Sequence, residues 1–188
     1  MNARDFSNRV TNSRSDFLQE FLDILEENQL PFCVVGGLAV NAYAEPVVSL
    51  DLDLVVVSER LEELLAVLER CFTVVRHPRS INVSNPHSDL RIQIQTDARY
   101  QAFIAHSSRG TVLGYDMSVA ALEDVFQGKI WAFSDPARRP SKRQKDWADI
   151  MRLAETHPHL ISLLPNSLRD RFMAEQEEYQ AEGETHGN

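Results

Sequence analysis

The chain has 188 residues, 43% apolar and 25% charged, with a formal net charge of −9, which fits one globular domain able to close a substantial core. The negative balance excludes a general nucleic-acid coat or a membrane-surface protein, since both need a broad positive field. The start, MNARDFSNRV, has no apolar signal core, no run approaches a membrane span, and Cys33 and Cys71 read as reduced core residues in apolar, strand-like surroundings, so a cytoplasmic protein is expected.

In chain order, a polar start precedes a helix from about 16 to 28, with Ser15 as its expected cap and Phe17, Phe21, Leu22, Ile24 and Leu25 as its apolar stripe. Pro31 ends that helix. FCVV at 32–35 reads as a strand, Gly36-Gly37 as a turn, and Leu38 to Ala44 as a short helix closed by Glu45-Pro46. The strand DLDLVVV follows, then a helix over about 59–70 and strands at 72–76, 81–84, 90–95 and 112–115, with 100–106 ambiguous. From Ala120 the period turns helical, over about 120–133, 141–156 and 158–180. The pattern predicts an α+β core at 15–118, a mixed sheet flanked by helices, followed by a helical region at 119–180, with loose ends at 1–14 and 181–188.

The informative anomaly is Asp51-Leu52-Asp53-Leu54. Strand side chains alternate, so both carboxylates share one face while the leucines share the other. The strand continues as Val55, Val56 and Val57, which marks a central, covered element where like charges repel and lose solvent. A divalent cation between them is the simplest remedy; hard carboxylate oxygens suit Mg²⁺ or Mn²⁺, and such a site serves phosphoryl or nucleotidyl transfer. Upstream, Gly36-Gly37 lets the chain turn sharply and presents free N–H groups to a phosphate, although a glycine pair is more often only a tight connection. Lys129 falls inside the stripe of Leu122, Val125, Phe126 and Phe133, either as a functional ammonium or snorkelling to water. Five cations, Arg138, Arg139, Lys142, Arg143 and Lys145, gather in an otherwise acidic chain; the cheaper alternative there is a solvated helix start with i,i+4 pairs such as Lys142 with Asp146. The stripe of Trp147, Ile150, Met151 and Ala154 leaves Asp146 at its flank and Asp149 pointing outward. Trp131, opposite the stripe of its helix, is a candidate to stack on a base.

Gly36-Gly37, thirteen residues, then Asp51-Leu52-Asp53-Leu54 resembles the DNA polymerase beta-type nucleotidyltransferase superfamily. CVVGGLAVNAYAEP with SLDLDLVV, followed by ALEDVFQGKIWAF and SKRQKDWADIMRL, is similar to its minimal branch that includes the AbiEii toxins of type IV toxin–antitoxin systems. The resemblance covers about 30–155. It implies Asp51 and Asp53 as catalytic metal ligands, Gly36 and Gly37 as the triphosphate cradle, and Lys129 and Arg143 as groups on the nucleotide, ATP or another NTP. Asp146 matches a functional aspartate that aids the nucleophile or fixes Lys129. The implied acceptor is a hydroxyl such as the 3′ end of RNA or tRNA, received by the five-cation cluster, and the implied protein partner is a cognate antitoxin; no membrane is involved. Two departures stand out. The third carboxylate is expected near position 93, where the chain has Gln93; Asp89, on the same face, lies about 13 Å away by strand rise. Val47 follows Pro46 where the family has arginine. A degenerate, noncatalytic nucleotide- or RNA-binding protein of the same fold is therefore the competing expectation. Substituting Lys129 by methionine is expected to leave the fold intact.

Overall fold

The computed structural model describes residues 3–13 and 16–185. Its frame is a seven-stranded mixed sheet in the order β3-β4-β5-β2-β1-β7-β6, formed by β1 (Phe32–Val35), β2 (Asp51–Val56), β3 (Thr73–His77), β4 (Ser80–Ser84), β5 (Arg91–Gln95), β6 (Ser108–Val112) and β7 (Tyr115–Val119). The central strand β2 runs antiparallel to β1 and parallel to β5. Helices flank the sheet: α1 (Ala3–Val10), α2 (Phe17–Glu27), α3 (Gly36–Val40), α4 (Leu61–Cys71), α5 (Phe103–His106), α6 (Leu122–Ser134), α7 (Pro140–Thr156) and α8 (Asn166–Thr185). Among the described residues no helix is long and apolar enough to cross a membrane.

Alternation in the strands sorts the two faces of the sheet. Leu52 and Leu54 pair in register with Ile92 and Ile94, which pair in turn with Val83 and Ile81, and all six are buried in one core cluster with Phe17, Phe21 and Leu65. The opposite face carries Asp51 and Asp53 on β2, Arg91, Gln93 and Gln95 on β5, and Ser80 and Asn82 on β4. A polar stripe down the middle of a sheet requires hydrogen bonds, charge pairing or access to solvent to offset its burial. α6 and α7 pack against each other beside α3, which touches both.

Several expectations shift. Ser15 lies outside the described residues; Asp16 caps α2, its carboxylate accepting from the Gln19 N–H at 3.2 Å. Residues 3–10 of the polar start form α1, with Ser7 and Thr11 buried behind it. The helix expected at 38–44 begins at Gly36 and ends at Val40. The strand expected at 112–115 is corrected to the turn of the β6–β7 hairpin, where Leu113 and Gly114 both take positive φ (55° and 84°). Two successive positive φ values are the geometry of the tight hairpin turn, and the apolar Val112-Leu113 concealed it. The ambiguous stretch is a 3-10 turn at 98–100 followed by α5. The last expected helix divides into a 3-10 turn at 158–163 and α8, with Pro165 between them. Cys33 is buried as expected and burial pushes its thiol up to about 12, whereas Cys71, at the end of α4, is exposed.

Candidate active site

The strand β2 delivers its two carboxylates into different surroundings. Asp53 sits beneath α3, so close that a Cβ on Gly36 would collide with its Oδ2; Gly36 also has φ +69°. Glycine is required there twice over, for the left-handed turn and for the contact. Gly36→Ala is expected to cost roughly 1–3 kcal/mol and to displace Asp53, which a melting curve beside an activity assay would register as a joint loss. Gln95 donates to Asp53 Oδ1 at 3.3 Å. Burial lifts the Asp53 carboxyl above its ordinary value, and the neighbouring Asp51 charge adds to the lift; Lys129, Gln95 and Arg138 oppose it without cancelling it.

Asp51 is heavily paired. Arg91, its register partner on β5, donates from Nε to Oδ1 at 2.9 Å and places Nη2 at 2.7 Å from the same oxygen, and Lys142 Nζ of α7 lies 3.4 Å from Oδ2. Burial works to raise this carboxyl, but Arg91 and then Lys142 outweigh it and hold Asp51 below the usual carboxylate range. Both cations are well exposed, at 54% and 41% of their side chains, so the pairs contribute little to stability, and the single, longer Lys142 contact is the weaker of the two.

On the helical side lies a buried charge network. Lys129 is 6% exposed and stands between Asp146 Oδ1 at 3.3 Å and Asp149 Oδ2 at 2.7 Å, themselves 1% and 3% exposed. Arg138 forks onto Asp146, with Nη2 to Oδ1 at 3.1 Å and Nε to Oδ2. Arg152 donates to Asp149 Oδ1 at 2.8 Å and also reaches Asn41 Oδ1 and the Glu45 carbonyl. Asp149 lies next to Gly37 as well. The network thus joins α6 and α7 to the glycine turn and to the loop behind it.

Between α6 and the polar face of the sheet opens a cleft of about 230 Å³ whose walls include Gly36, Asp53, Gln93, Lys129, Arg138 and Asp146. Toward its far end Trp131 stacks on Phe103 (centroids 5.7 Å apart, planes at 13°), with the Arg99 guanidinium 4.8 Å from the Trp131 ring. A base seated there would meet a ring already engaged by both neighbours.

The structure therefore gathers Gly36, Asp53, Lys129 and Asp146 in one cleft; Gly37, next to Asp149, and Asp51, paired with Arg91 and Lys142, are not among the residues of its walls. Arg143 is not among them: its Nε donates to the Phe133 carbonyl at 2.9 Å at the end of α6. The expected Lys142–Asp146 pair is absent, because Lys142 turns to Asp51 while Asp146 faces Lys129. Asp149, expected to point outward, is buried on Lys129. Asp89 stays away from the site, accepting from Asn12 Nδ2 at 2.5 Å. Gln93 holds the position beside Asp53 in register. Of the five-cation cluster, Arg139 and Lys145 are the exposed members, while Arg138, Lys142 and Arg143 are engaged as described.

These donors fit a hard divalent ion. Mg²⁺ commonly takes one or two protein carboxylates and completes its shell with water and substrate phosphate. Asp53 is a carboxylate lifted by burial, with the Asp51 charge adding to the lift, and the Gln93 amide is a neutral group beside it in register. Among the described residues no group of three His, Cys, Asp or Glu that could hold a metal ion gathers.

The family model described as nucleotidyl transferase AbiEii toxin, type IV TA system, matches residues 16–185. Solved structures share the fold. The antibiotic-resistance factor ANT(2'')-Ia superposes with a TM-score of 0.52 at 19% identity, covering 90% of this chain and 94% of that one. The lincomycin-bound lincosamide antibiotic adenylyltransferase LnuA gives 0.51 at 12% identity, covering 76% and 99%. No curated protein matches the chain.

Proposed function

Because the chain belongs to the AbiEii nucleotidyl transferase toxin family of type IV toxin–antitoxin systems, we propose that it transfers a nucleoside monophosphate from an NTP to an acceptor hydroxyl with the help of Mg²⁺ or Mn²⁺. The observation that carries this reading is the placement of Asp53: a carboxylate in the central strand, pressed under a glycine turn and facing Lys129 across a cleft. In this reading Asp53 and Asp51 hold the metal, the Gly36 and Gly37 backbone cradles the triphosphate, and Lys129 places an ammonium toward the phosphates. The bound ion would neutralise charge developing on the phosphate oxygens. Asp146 fixes Lys129 rather than acting as a base, since both its oxygens are engaged by Arg138 and Lys129.

The acceptor oxygen forms a new bond to the α-phosphorus, the bridging bond to the β-phosphate breaks, and pyrophosphate leaves. Gln93 takes no proton, Asp51 is held ionised by Arg91 and Lys142, and Asp53 would be occupied by the metal, so the acceptor proton goes to water. The 15–118 segment supplies the carboxylates and glycines, and the 119–180 helices supply Lys129 and its partners. Arg139 and Lys145 are the exposed cations left to meet an RNA or tRNA end, and the family's toxin–antitoxin setting implies a cognate antitoxin in the cytoplasm.

One observation favours the alternative, a nucleotide- or RNA-binding protein without turnover: Gln93 stands where a third acid would. The test incubates the full chain with each labelled NTP, Mg²⁺ and either total RNA, tRNA or lincomycin, the antibiotic bound by LnuA, beside the double variant Asp51→Ala, Asp53→Ala. Label on an acceptor that vanishes in the variant is the expected result. Nucleotide binding with no transfer to any acceptor would replace the enzyme by the binding protein.

A further inference from the structure

Two-metal transferases clamp the attacking and leaving oxygens between two ions about 3.5–4 Å apart, held by shared carboxylates. Two features of this chain count against a second ion. The register sets Arg91 beside Asp51 and Gln93 beside Asp53, so the strand next to β2 presents a cation and a neutral amide to the two carboxylates. Arg91 then fills one edge of Asp51, with two nitrogens on Oδ1 at 2.7 and 2.9 Å. The other edge, Oδ2, has only the longer 3.4 Å contact from Lys142, which leaves it open to exchange.

Resting on the nucleotidyltransferase reading, we propose that Arg91 stands in for the second cation: the site takes one divalent ion with its nucleotide, and the guanidinium on Asp51 supplies the charge a second ion would bring. Strand pairing sets the Arg91 backbone beside Asp51, and the guanidinium reaches the carboxylate with two nitrogens, so this charge belongs to the chain and is not recruited from solution. Its planar fork suits a carboxylate edge and cannot deprotonate. Gln93 fits the same scheme, since a carboxylate there would create the second ion's ligand set against a fixed positive neighbour.

Binding of Mn²⁺, counted by electron paramagnetic resonance in the presence of a non-hydrolysable NTP analogue, tests this without turnover. One Mn²⁺ per chain is expected for the native protein and for Gln93→Glu, in which Arg91 remains, and two for Arg91→Ala combined with Gln93→Glu. Arg91 is half-exposed, so its removal should leave the fold unchanged by circular dichroism. Two ions in the native protein, or in Gln93→Glu alone, would overturn the proposal while leaving the transferase intact. A single ion in the double variant would also overturn it, because Arg91 would then not be what excludes the second. No bound Mn²⁺ in any variant, with no label transfer, would remove the transferase reading itself.

Discussion

Asp53→Asn is expected to lower nucleotide transfer by more than about 100-fold while raising the melting temperature of the metal-free protein. The first effect follows from the outer-shell scale: losing a group that merely supports a metal ligand costs about 10–100-fold, so losing a ligand costs at least the upper end. The second follows from the raised Asp53 carboxyl, which burial and the Asp51 charge disfavour in its ionised form. A carboxyl with a folded pKa above its unfolded value binds more protons in the native state, so stability falls as pH rises between the two values. The amide, of the same size and without charge, escapes that loss, for a gain on the order of 1 kcal/mol. The gain should therefore vanish near and below pH 3.8, the ordinary value for the group, and grow above it. Adding Mg²⁺ and a non-hydrolysable NTP should reverse the order, since ligand that binds only the folded native protein stabilises it by about 2.7 kcal/mol at 100 times its Kd. Thermal melts across pH, with and without Mg²⁺–NTP, read all of this; a lower melting temperature for Asp53→Asn in the absence of ligand would show that Asp53 is a structural residue.

Lys129→Met carries the second large effect, and here the structure reverses the expectation from sequence. A methionine matches the volume of the stem but leaves Asp149 Oδ2 buried without the ammonium 2.7 Å away, and takes one of the two cations from Asp146. Breaking a buried ion pair by removing one partner costs roughly 3–5 kcal/mol; Arg138 and Arg152 remain on the two aspartates, which places the loss near the lower end, about 3 kcal/mol. For a chain of this size that is a drop of about 6–12 °C in melting temperature. Combining Lys129→Met with Asp149→Asn should recover at least half of the loss, roughly 1.5 kcal/mol or more, by removing the stranded charge. NTP binding should stay weak in both variants, because no ammonium faces the cleft. If the double variant regains nucleotide affinity together with stability, Lys129 serves only the fold.

The parts of the site that were readable in the sequence share a physical reason. Asp51 and Asp53 stand out because strand alternation is strict and two acids break it on one face. Lys129 stands out because a single cation interrupts an apolar stripe of period 3.6, and the structure buries it at 6% exposure. What stayed hidden is whatever depends on a partner from another element. Asp149 looked solvated because a stripe marks only apolar neighbours, and a facing lysine leaves no trace in the sequence of α7. Strand alternation places Arg91 and Gln95 on the polar face with Gln93, but their partners, Asp51 and Asp53, emerge only with the β2–β5 register, and a one-residue slip would have moved every one of these side chains to the other face. The basic cluster divides for the converse reason: three of its five cations, Lys142, Arg138 and Arg143, are drawn to Asp51, to Asp146 and to the end of α6, while Arg139 and Lys145 stay exposed.

A crystal structure of the chain with Mn²⁺ and a non-hydrolysable NTP, with the metal located by its anomalous scattering, decides whether Asp51 and Asp53 share an ion. The expected result is an ion on Asp53 and the Oδ2 edge of Asp51, with the triphosphate against the Gly36-Gly37 turn and Lys129 turned to the phosphates. A nucleotide seated elsewhere, or a triphosphate bound in the cleft while Asp51 keeps both cations and Asp53 carries no metal, would contradict it.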